Sequence, residues 1–449
     1  MLTLKKGDKK LINAWTFYDW ANSSYPLVIT TAIFPIFYEK VTSVIVDGKV
    51  IDDTVVLFGT KFINTELYSY IVALSFIIVS LSSPILSGIA DYSGNKKRFM
   101  QFYCYLGSIS CASLFFFSKE NLAFGMFSIL FASVGFWGSL VFYNAFLPEI
   151  AELKDHDKVS AKGFAQGYFG SAILLIIDLI LIKGFDMPAK YSFLTVALWW
   201  AGFAQITFAR LPNGLKKEAH GGNIVLKGFR ELSKVWDELK HIKQLKRYLI
   251  AFFVYSMGVQ TVMLMAVLFA KKEIAGLEDA NLIVSVLLIQ FLGIGGSYLF
   301  SFISEKIGNI EAIGINLFIW IAICIGTYKF VYTPNSFYIV ACAVGLVMGG
   351  VQSLSRSTYS KLLPETQDTT SYFSFFDVCE KIGIVIGMLS FGFIEGVTGG
   401  MRNSVLALIV FFIIGFLILL TIPNEEIGTK INYHYKEEDN LNVNVKVRK

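Results

Sequence analysis

Asp19, Asn22, Ser23, Pro26 and Thr30 recur at three- and four-residue steps within FYDWANSSYPLVITTAIFP, Phe17 to Pro35. That spacing places them on one face of a helix. The surrounding run is apolar and long enough to cross a membrane. An ionisable group inside such a run costs about 2.5–3.5 kcal/mol on insertion scales and tends to face a cavity or a partner. A carboxylate, an amide and hydroxyls on one face can hold a cation, a proton or a polar solute. Pro26 and Pro35 free backbone carbonyls and let the helix bend. The face is expected to line a water-filled path. In the plainer alternative, Asp19 pairs with a surface lysine and only fixes a helix end.

The matching positive charge is Arg356, inside GGVQSLSRSTYSKLLP, with Gln352 and Tyr359 at near-helical spacing. Its planar fork suits a carboxylate, whether of Asp19, of Glu380 or of a solute. Snorkelling to the membrane surface is the alternative. Asp377, Glu380 and Lys381 fall within about one helical turn. They form either an inner gate or proton site, or a solvated helix start. Glu380 follows Asp19 as a proton carrier, because burial disfavours a charged carboxylate. Asn144 shares a face with Trp137, and Tyr143 with Phe136. Gln166, Tyr168, Tyr255 and Gln260 add further amides and phenols, which can bind a zwitterion without net charge. Aromatic residues in such runs more often pack or anchor. Asp178 and Glu395 read as interfacial.

The elements that must carry these residues follow from composition. The chain has 449 residues, 55% hydrophobic and 16% charged, against about 25% charged in soluble domains. Twelve apolar runs read as membrane helices: 12–38, 67–90, 99–118, 121–145, 163–182, 191–211, 248–270, 281–304, 310–329, 337–360, 374–397 and 403–422. Lipid offers no water to an open backbone, so the spans are expected to be helical. One set of loops with both tails holds about 27 Lys and Arg and the other about 10, so the richer set and both termini are expected in the cytoplasm. No cleavable signal peptide is read. The five cysteines form no CxxC pair, which speaks against disulfides and a metal site.

A repeat organises the spans. YNAFLPEI and YSKLLPET align Tyr143 with Tyr359, Leu147 with Leu363, Pro148 with Pro364 and Glu149 with Glu365, at one offset. Asp91, Gly94 and Asn95 align with Glu305, Gly308 and Asn309 at nearly the same offset. The chain therefore reads as an all-α membrane protein of twelve transmembrane helices, in two six-helix halves in parallel repeat. The halves are 1–211 and 248–422, joined by a basic linker, 212–247, and followed by a tail, 423–449. FRELSKVWDELKHIKQL in the linker has apolar residues at helical spacing. It reads as an amphipathic helix on the membrane surface or as a plain tether.

These features resemble the major facilitator superfamily. Its loop between spans two and three is matched by LSGIADYSGNKKR through Asp91, Gly94, Lys96, Lys97 and Arg98. Ser87 stands where a glycine is usual, and Tyr92 where a basic residue is. The resemblance implies a gating loop; plain positive-inside topology is the alternative. More narrowly, YDWANSSY, FYNAFLPEIA, KGFAQGYFG, GGVQSLSRSTYSKLLP and Lys381 resemble the vacuolar-effluxer-like, autophagy-related branch. The acidic neighbour Glu380 departs from that branch's pattern. The resemblance implies the major facilitator fold and, more loosely, amino-acid export.

The sequence has no GxxxxGK[ST] phosphate loop for ATP, no HExxH or other metal-ligand spacing and no nucleophile–base set. No cofactor and no enzymatic activity are expected. The net charge of +5 fits loops facing anionic lipid rather than nucleic acid. The expected protein is a monomeric ion-coupled transporter of a small solute in the cell membrane. Amino-acid export with H+ is the specific reading. Its pathway would be Asp19, Asn22, Tyr143, Asn144, Gln352, Arg356, Glu380 and Lys381. Lipid or drug efflux and a non-transporting sensor are the alternatives.

Overall fold

The computed structural model describes residues 6–46, 49–213 and 224–423. Linker residues 214–223, the tail from 424 onward and Lys5 lie outside them. The apolar runs are helical, as a backbone in lipid must bond to itself. Helix α1 (Lys9–Asn22) is followed by a wider π-helical segment, Tyr25–Ile33, and then α2 (Phe34–Thr42). Pro26 opens the wide segment because it has no N–H to give the Asn22 carbonyl. The Thr31 hydroxyl donates to the Pro26 carbonyl at 2.8 Å.

Two antiparallel hairpins follow, β1 (Val44–Val46) with β2 (Lys49–Asp52) and β3 (Thr54–Leu57) with β4 (Thr60–Ile63). The spans read from sequence leave this stretch as a loop. Phe58 and Gly59, both at positive φ, turn the second hairpin. Next come α3 (Asn64–Ser93), α4 (Lys96–Ser113), α5 (Leu122–Asn144), the short α6 (Leu147–Ile150), α7 (His156–Gly184) and α8 (Tyr191–Arg210). The linker holds α9 (Ile224–His241). Then follow α10 (Lys243–Glu273), α11 (Asp279–Ile307), α12 (Asn309–Phe330), α13 (Pro334–Leu362), α14 (Thr369–Thr398) and α15 (Met401–Leu419). Gly94, at φ +66°, ends α3 in the left-handed conformation that a tight turn requires.

Among the described residues, ten helices are long and apolar enough to cross a membrane: α3, α4, α5, α7, α8, α10, α11, α12, α13 and α15. Two further long helical stretches are α1 through α2 and α14. They contain Asp19 and the Asp377–Glu380–Lys381 cluster respectively. Buried apolar side chains gather into two large clusters. One comes almost wholly from residues 11–211 and the other from residues 235–422. The helices before and after the linker are called here the N-terminal and C-terminal sets. They meet along α3 with α14 and along α7 with α11.

The end of the molecule carrying the α3–α4 turn and α9 is called the linker face; the opposite end is the hairpin face. Helix α9 packs one apolar edge on the helices of the linker face. Val235 and Leu239 are buried, and the Trp236 ring lies 5.3 Å from that of Phe375. Tyr372 donates to Glu238 at 2.8 Å. The contact is close because Gly88 meets Gly228: a Cβ on Gly88 would lie 2.3 Å from the Gly228 carbonyl oxygen. Phe229 and Trp236 remain exposed.

Candidate transport site

Arg356 joins the two sets. Its Nη1 and Nη2 donate to Asp19 Oδ2 at 3.2 and 3.3 Å. Nη1 also reaches Asn144 Oδ1 at 3.3 Å. Nε and Nη2 reach the hydroxyl and carbonyl of Ser160, both at 2.9 Å. Tyr143 adds a third donor to Asp19 Oδ2 at 2.7 Å. The guanidinium stacks 4.2 Å from the Phe164 ring and 4.9 Å from that of Trp15. Asp19 is 5% and Arg356 3% exposed. The arginine therefore does not snorkel, and its carboxylate partner is Asp19. A permanently charged fork with its donors on oxygen and its faces on aromatic rings can stay charged away from water.

Gly163 makes the cluster possible. A Cβ there would lie 2.3 Å from Asp19 Oδ2 and 2.8 Å from Arg356 Nη2. Gly163 and Ser160 were not singled out in the sequence. The detectable signal is a small residue every few positions along α7, which lets α1 approach: a Cβ on Gly167 would meet Ser23 Oγ at 2.4 Å.

Lys381 is the second buried cation, with no solvent exposure. It pairs with Asp377 at 2.7 Å and Glu380 at 2.6 Å. Its Nζ lies 3.9 Å from the centre of the Trp137 ring, which belongs to the N-terminal set. Gln260 donates to the other oxygen of Glu380 at 2.7 Å. The solvated-helix-start reading is overturned for Asp377 and Lys381, which are buried, while Glu380 faces the cavity. Asp178 is likewise corrected: it is buried rather than interfacial and accepts from Thr195 at 2.7 Å. Glu395 pairs with Lys272 at 2.5 Å near a helix end.

Between the sets lies a cavity of about 250 Å³. Its polar lining includes Asp19, Asn22, Asn144, Gln352, Arg356 and Glu380. Tyr143 and Lys381 stand behind it, each holding a lining carboxylate. Tyr168 donates to Gln352 at 2.5 Å, again across the sets. The Asn22 amide nitrogen is buried without a hydrogen-bond partner among the described residues. Further hydroxyls and amides, among them Ser23, Tyr255, Gln260 and Gln290, share the remaining wall with apolar residues such as Phe136, Phe252, Met263, Met348 and Phe376. A cavity near the lower end of ligand-pocket sizes, with polar groups set among apolar side chains, suits one small solute.

The linker face is closed by polar contacts. Asp91 accepts from the Thr370 and Ser371 backbone N–H groups at 3.2 and 2.7 Å, and from the Ser371 hydroxyl at 2.8 Å. It thus caps the N-terminus of α14, where the helix dipole favours an anion. Buried Lys96 pairs with Glu149 and contacts Thr369, which also donates to Glu149. Lys97 donates to the Leu211 carbonyl within its own set, and Arg98 is exposed. Asp157 on α7 accepts from Ser304, Asn309 and Lys361 of the C-terminal set at 2.9, 2.8 and 2.6 Å. This network was missed in the sequence because its charges sit at helix ends, where solvated residues look the same. From α7, hydrogen bonds to the C-terminal set run from Lys158 with Glu305 at the linker face, through Ser160 with Ser353, to Ser171 with Gln290.

Asp91→Ala removes the anion from the start of α14, a contact worth up to about 2 kcal/mol in a partly buried geometry. We expect the linker face to open. A cysteine placed at fully buried Thr370 should then react at least about tenfold faster with a water-soluble maleimide, the factor for 1.4 kcal/mol. An unchanged rate would show that the cap does not hold this face shut.

Residues 7–429 match the family model described as vacuole effluxer Atg22 like. The chain belongs to that family. An uncharacterized MFS-type transporter of Bacillus subtilis is 31% identical over 424 residues, covering 92% of this chain and 95% of that protein. Autophagy-related protein 22 of Kluyveromyces lactis is 27% identical, covering 90% of this chain and 92% of that protein. Among solved structures, the major facilitator transporter FucP in the outward conformation is similar. It has a TM-score of 0.66 at 13% identity, covering 93% of this chain and 99% of that one. A bacterial homologue of the iron transporter ferroportin gives 0.62 at 12% identity, covering 92% and 98%. At such identities the likeness concerns the fold, which is that of the major facilitator superfamily. This Atg22-like chain is thus a multi-pass integral membrane transporter.

Proposed function

We propose that the protein exports a small zwitterion, an amino acid, by alternating access coupled to protons. The observation that carries this reading is the Asp19–Arg356 pair, made between the two sets at the wall of the cavity. A solute carboxylate can replace Asp19 on the Arg356 fork, while its ammonium takes Asp19 or Glu380. The solute would then offset the desolvation of both charges. Solute occupancy and the contact between the sets become one variable, which alternating access requires. The name of the matched family supports an outward direction from its compartment.

The wider architecture of the proposal has twelve spans, with the α1–α2 stretch and α14 completing the ten. Its two halves are 1–211 and 248–422. The repeat is supported by corresponding contacts: Asp91 near the end of α3 reaches α14, and Glu305 near the end of α11 reaches Lys158 at the start of α7. The linker face is assigned to the cytoplasm by its Lys and Arg excess, with both termini there. The membrane is assigned as the cell membrane, and the unit as a monomer. The gating role stays with Asp91, Gly94 and Lys96; Lys97 and Arg98 supply orientation.

Counterflow in proteoliposomes tests the reading. Liposomes preloaded with an amino-acid mixture should take up radiolabelled amino acid. Asp19→Asn and Arg356→Gln should each lose at least about 90% of that exchange, a deficit of about 1.4 kcal/mol. The apolar part of the wall supports a second reading, efflux of a lipophilic solute. Movement of lysolipid or an apolar cation without amino-acid exchange would put that reading first. Binding without exchange would mark a sensor.

A further inference from the structure

Two carboxylates share one ammonium on α14, and they are not equivalent. Glu380 has donors on both oxygens, Gln260 on one and Lys381 on the other. Asp377 has Lys381 on Oδ1, while its Oδ2 is buried without a hydrogen-bond partner among the described residues. Asp19, Asp91 and Asp157 each accept three hydrogen bonds or more. The Asp19–Arg356 pair is neutral. With both carboxylates ionised, the triad of Asp377, Glu380 and Lys381 carries one net negative charge, Asp377 and Lys381 being buried and Glu380 facing the cavity.

Buried charge of this kind is costly unless matched, and the unmatched oxygen is on Asp377. We propose that Asp377 binds the coupling proton, which reaches it from the cavity by way of Glu380. Protonation converts one carboxylate to a carboxylic acid and leaves a neutral Lys381–Glu380 pair. A metal cation suits the place less well, since it would sit beside the Lys381 ammonium. The proposal rests on the transport reading above and names its coupling ion and acceptor.

The surroundings fit a neutral acid. From α10, Gln260 and the Tyr255 phenol face Glu380 rather than Asp377. From α4 the group facing Asp377 is the Tyr103 phenol, and from α14 itself Cys379. From α5 it is the uncharged Trp137 ring under Lys381. On α3, Ser87 and Ser83 stand one and two turns above Asp91 on the same buried stripe. Asp91 meets Thr370 and Ser371, so the antiparallel run of the helices at about 1.5 Å per residue brings Ser83 about level with Asp377. Both serine hydroxyls are buried without a hydrogen-bond partner among the described residues. Lys381 is thus the sole cation in direct contact with Asp377 among them. Asp178 also has an unmatched oxygen, but its partner Thr195 is on α8, within the N-terminal set. A proton there would not bear on the contact between the sets. At Asp377 it would, because the Lys381 that it releases also grips Trp137 of the other set.

Infrared difference spectra of the purified protein, taken between acid and neutral pH, test this without any solute. Among the carbonyl bands of carboxyls that titrate, the wild type should show one that belongs to Asp377. Asp377→Asn should abolish it, Asp377→Glu should keep it at a shifted frequency, and Glu380→Gln and Asp178→Asn should leave it in place. A set of titrating bands that is the same in the wild type and in Asp377→Asn overturns the proposal. So does loss of the band in Glu380→Gln. In proteoliposomes, Asp377→Asn should retain amino-acid counterflow and lose at least tenfold of the accumulation driven by a pH gradient. Loss of both in a variant that melts as the wild type does would also overturn it. If the wild type exchanges no amino acid, the transport reading fails, while the infrared result still decides whether Asp377 takes the proton.

Discussion

Arg356→Gln should lower stability in detergent by about 3–5 kcal/mol, the usual range for removing one partner of a buried ion pair. The loss comes mainly from what stays behind. Asp19 would keep the Tyr143 hydroxyl and little else, an anion with 5% exposure and no counter-charge. Ser160 would lose the donors to both its hydroxyl and its carbonyl. Glutamine can replace one of these bonds but not the fork or the stacking on Phe164. Asp19→Asn should cost less, because Arg356 keeps Asn144 and Ser160. The double variant should be more stable than Arg356→Gln alone, since it removes the orphaned anion. Thermal unfolding of the four proteins gives the coupling energy directly. Additive losses would show that Asp19 and Arg356 do not interact in the folded protein.

Gly163→Ala is the second large effect, although it adds a single methyl group. The added carbon would stand 2.3 Å from Asp19 Oδ2, 2.8 Å from Arg356 Nη2 and 3.3 Å from the Tyr143 hydroxyl. The pair must open or α1 must move off α7. Overpacking of this sort costs about 1–3 kcal/mol. Counterflow should fall as far as it does in Arg356→Gln, because the methyl group occupies the place where carboxylate and guanidinium meet. Gly202 on α8 is the control: a Cβ there has nothing within 4 Å. Gly202→Ala should leave exchange unchanged and stabilise by at most about 1 kcal/mol, the helix-propensity difference. Full exchange in Gly163→Ala would show that the close approach is not needed for transport.

The helices were legible because lipid imposes one rule on every span, and apolar length reports it. The buried charges were legible for the same reason. Asp19 and Arg356 stand out in apolar runs, and the structure brings them together with Tyr143 and Asn144. What escaped notice has no compositional contrast. Gly163 is one glycine among 37, and its importance lies in what stands opposite. Asp157, Lys361 and Asn309 sit where solvated residues are expected, and only the fold brings them together. The hairpin turn at Phe58 and Gly59 lacks an Asn-Gly or Asp-Gly pair, the strongest short signal for such a turn. Docking of α9 on α3 depended on Gly88 meeting Gly228, a coincidence between segments far apart in sequence.

The two ends of the molecule differ in how freely they can change. At the linker face the sets are joined by Asp91, Asp157, Lys361 and their partners, each placed to satisfy a particular atom. A substitution there strands a buried donor or acceptor, at about 1–3 kcal/mol each. Toward the hairpin face, Val286 packs among the apolar side chains of the N-terminal set, with Val267 and Leu287 against them. Exchanges among aliphatic residues of similar volume cost less than about 1.5 kcal/mol. Mutational tolerance is therefore lopsided: one mouth can be reshaped step by step toward a new solute, while the other changes only when two partners change together.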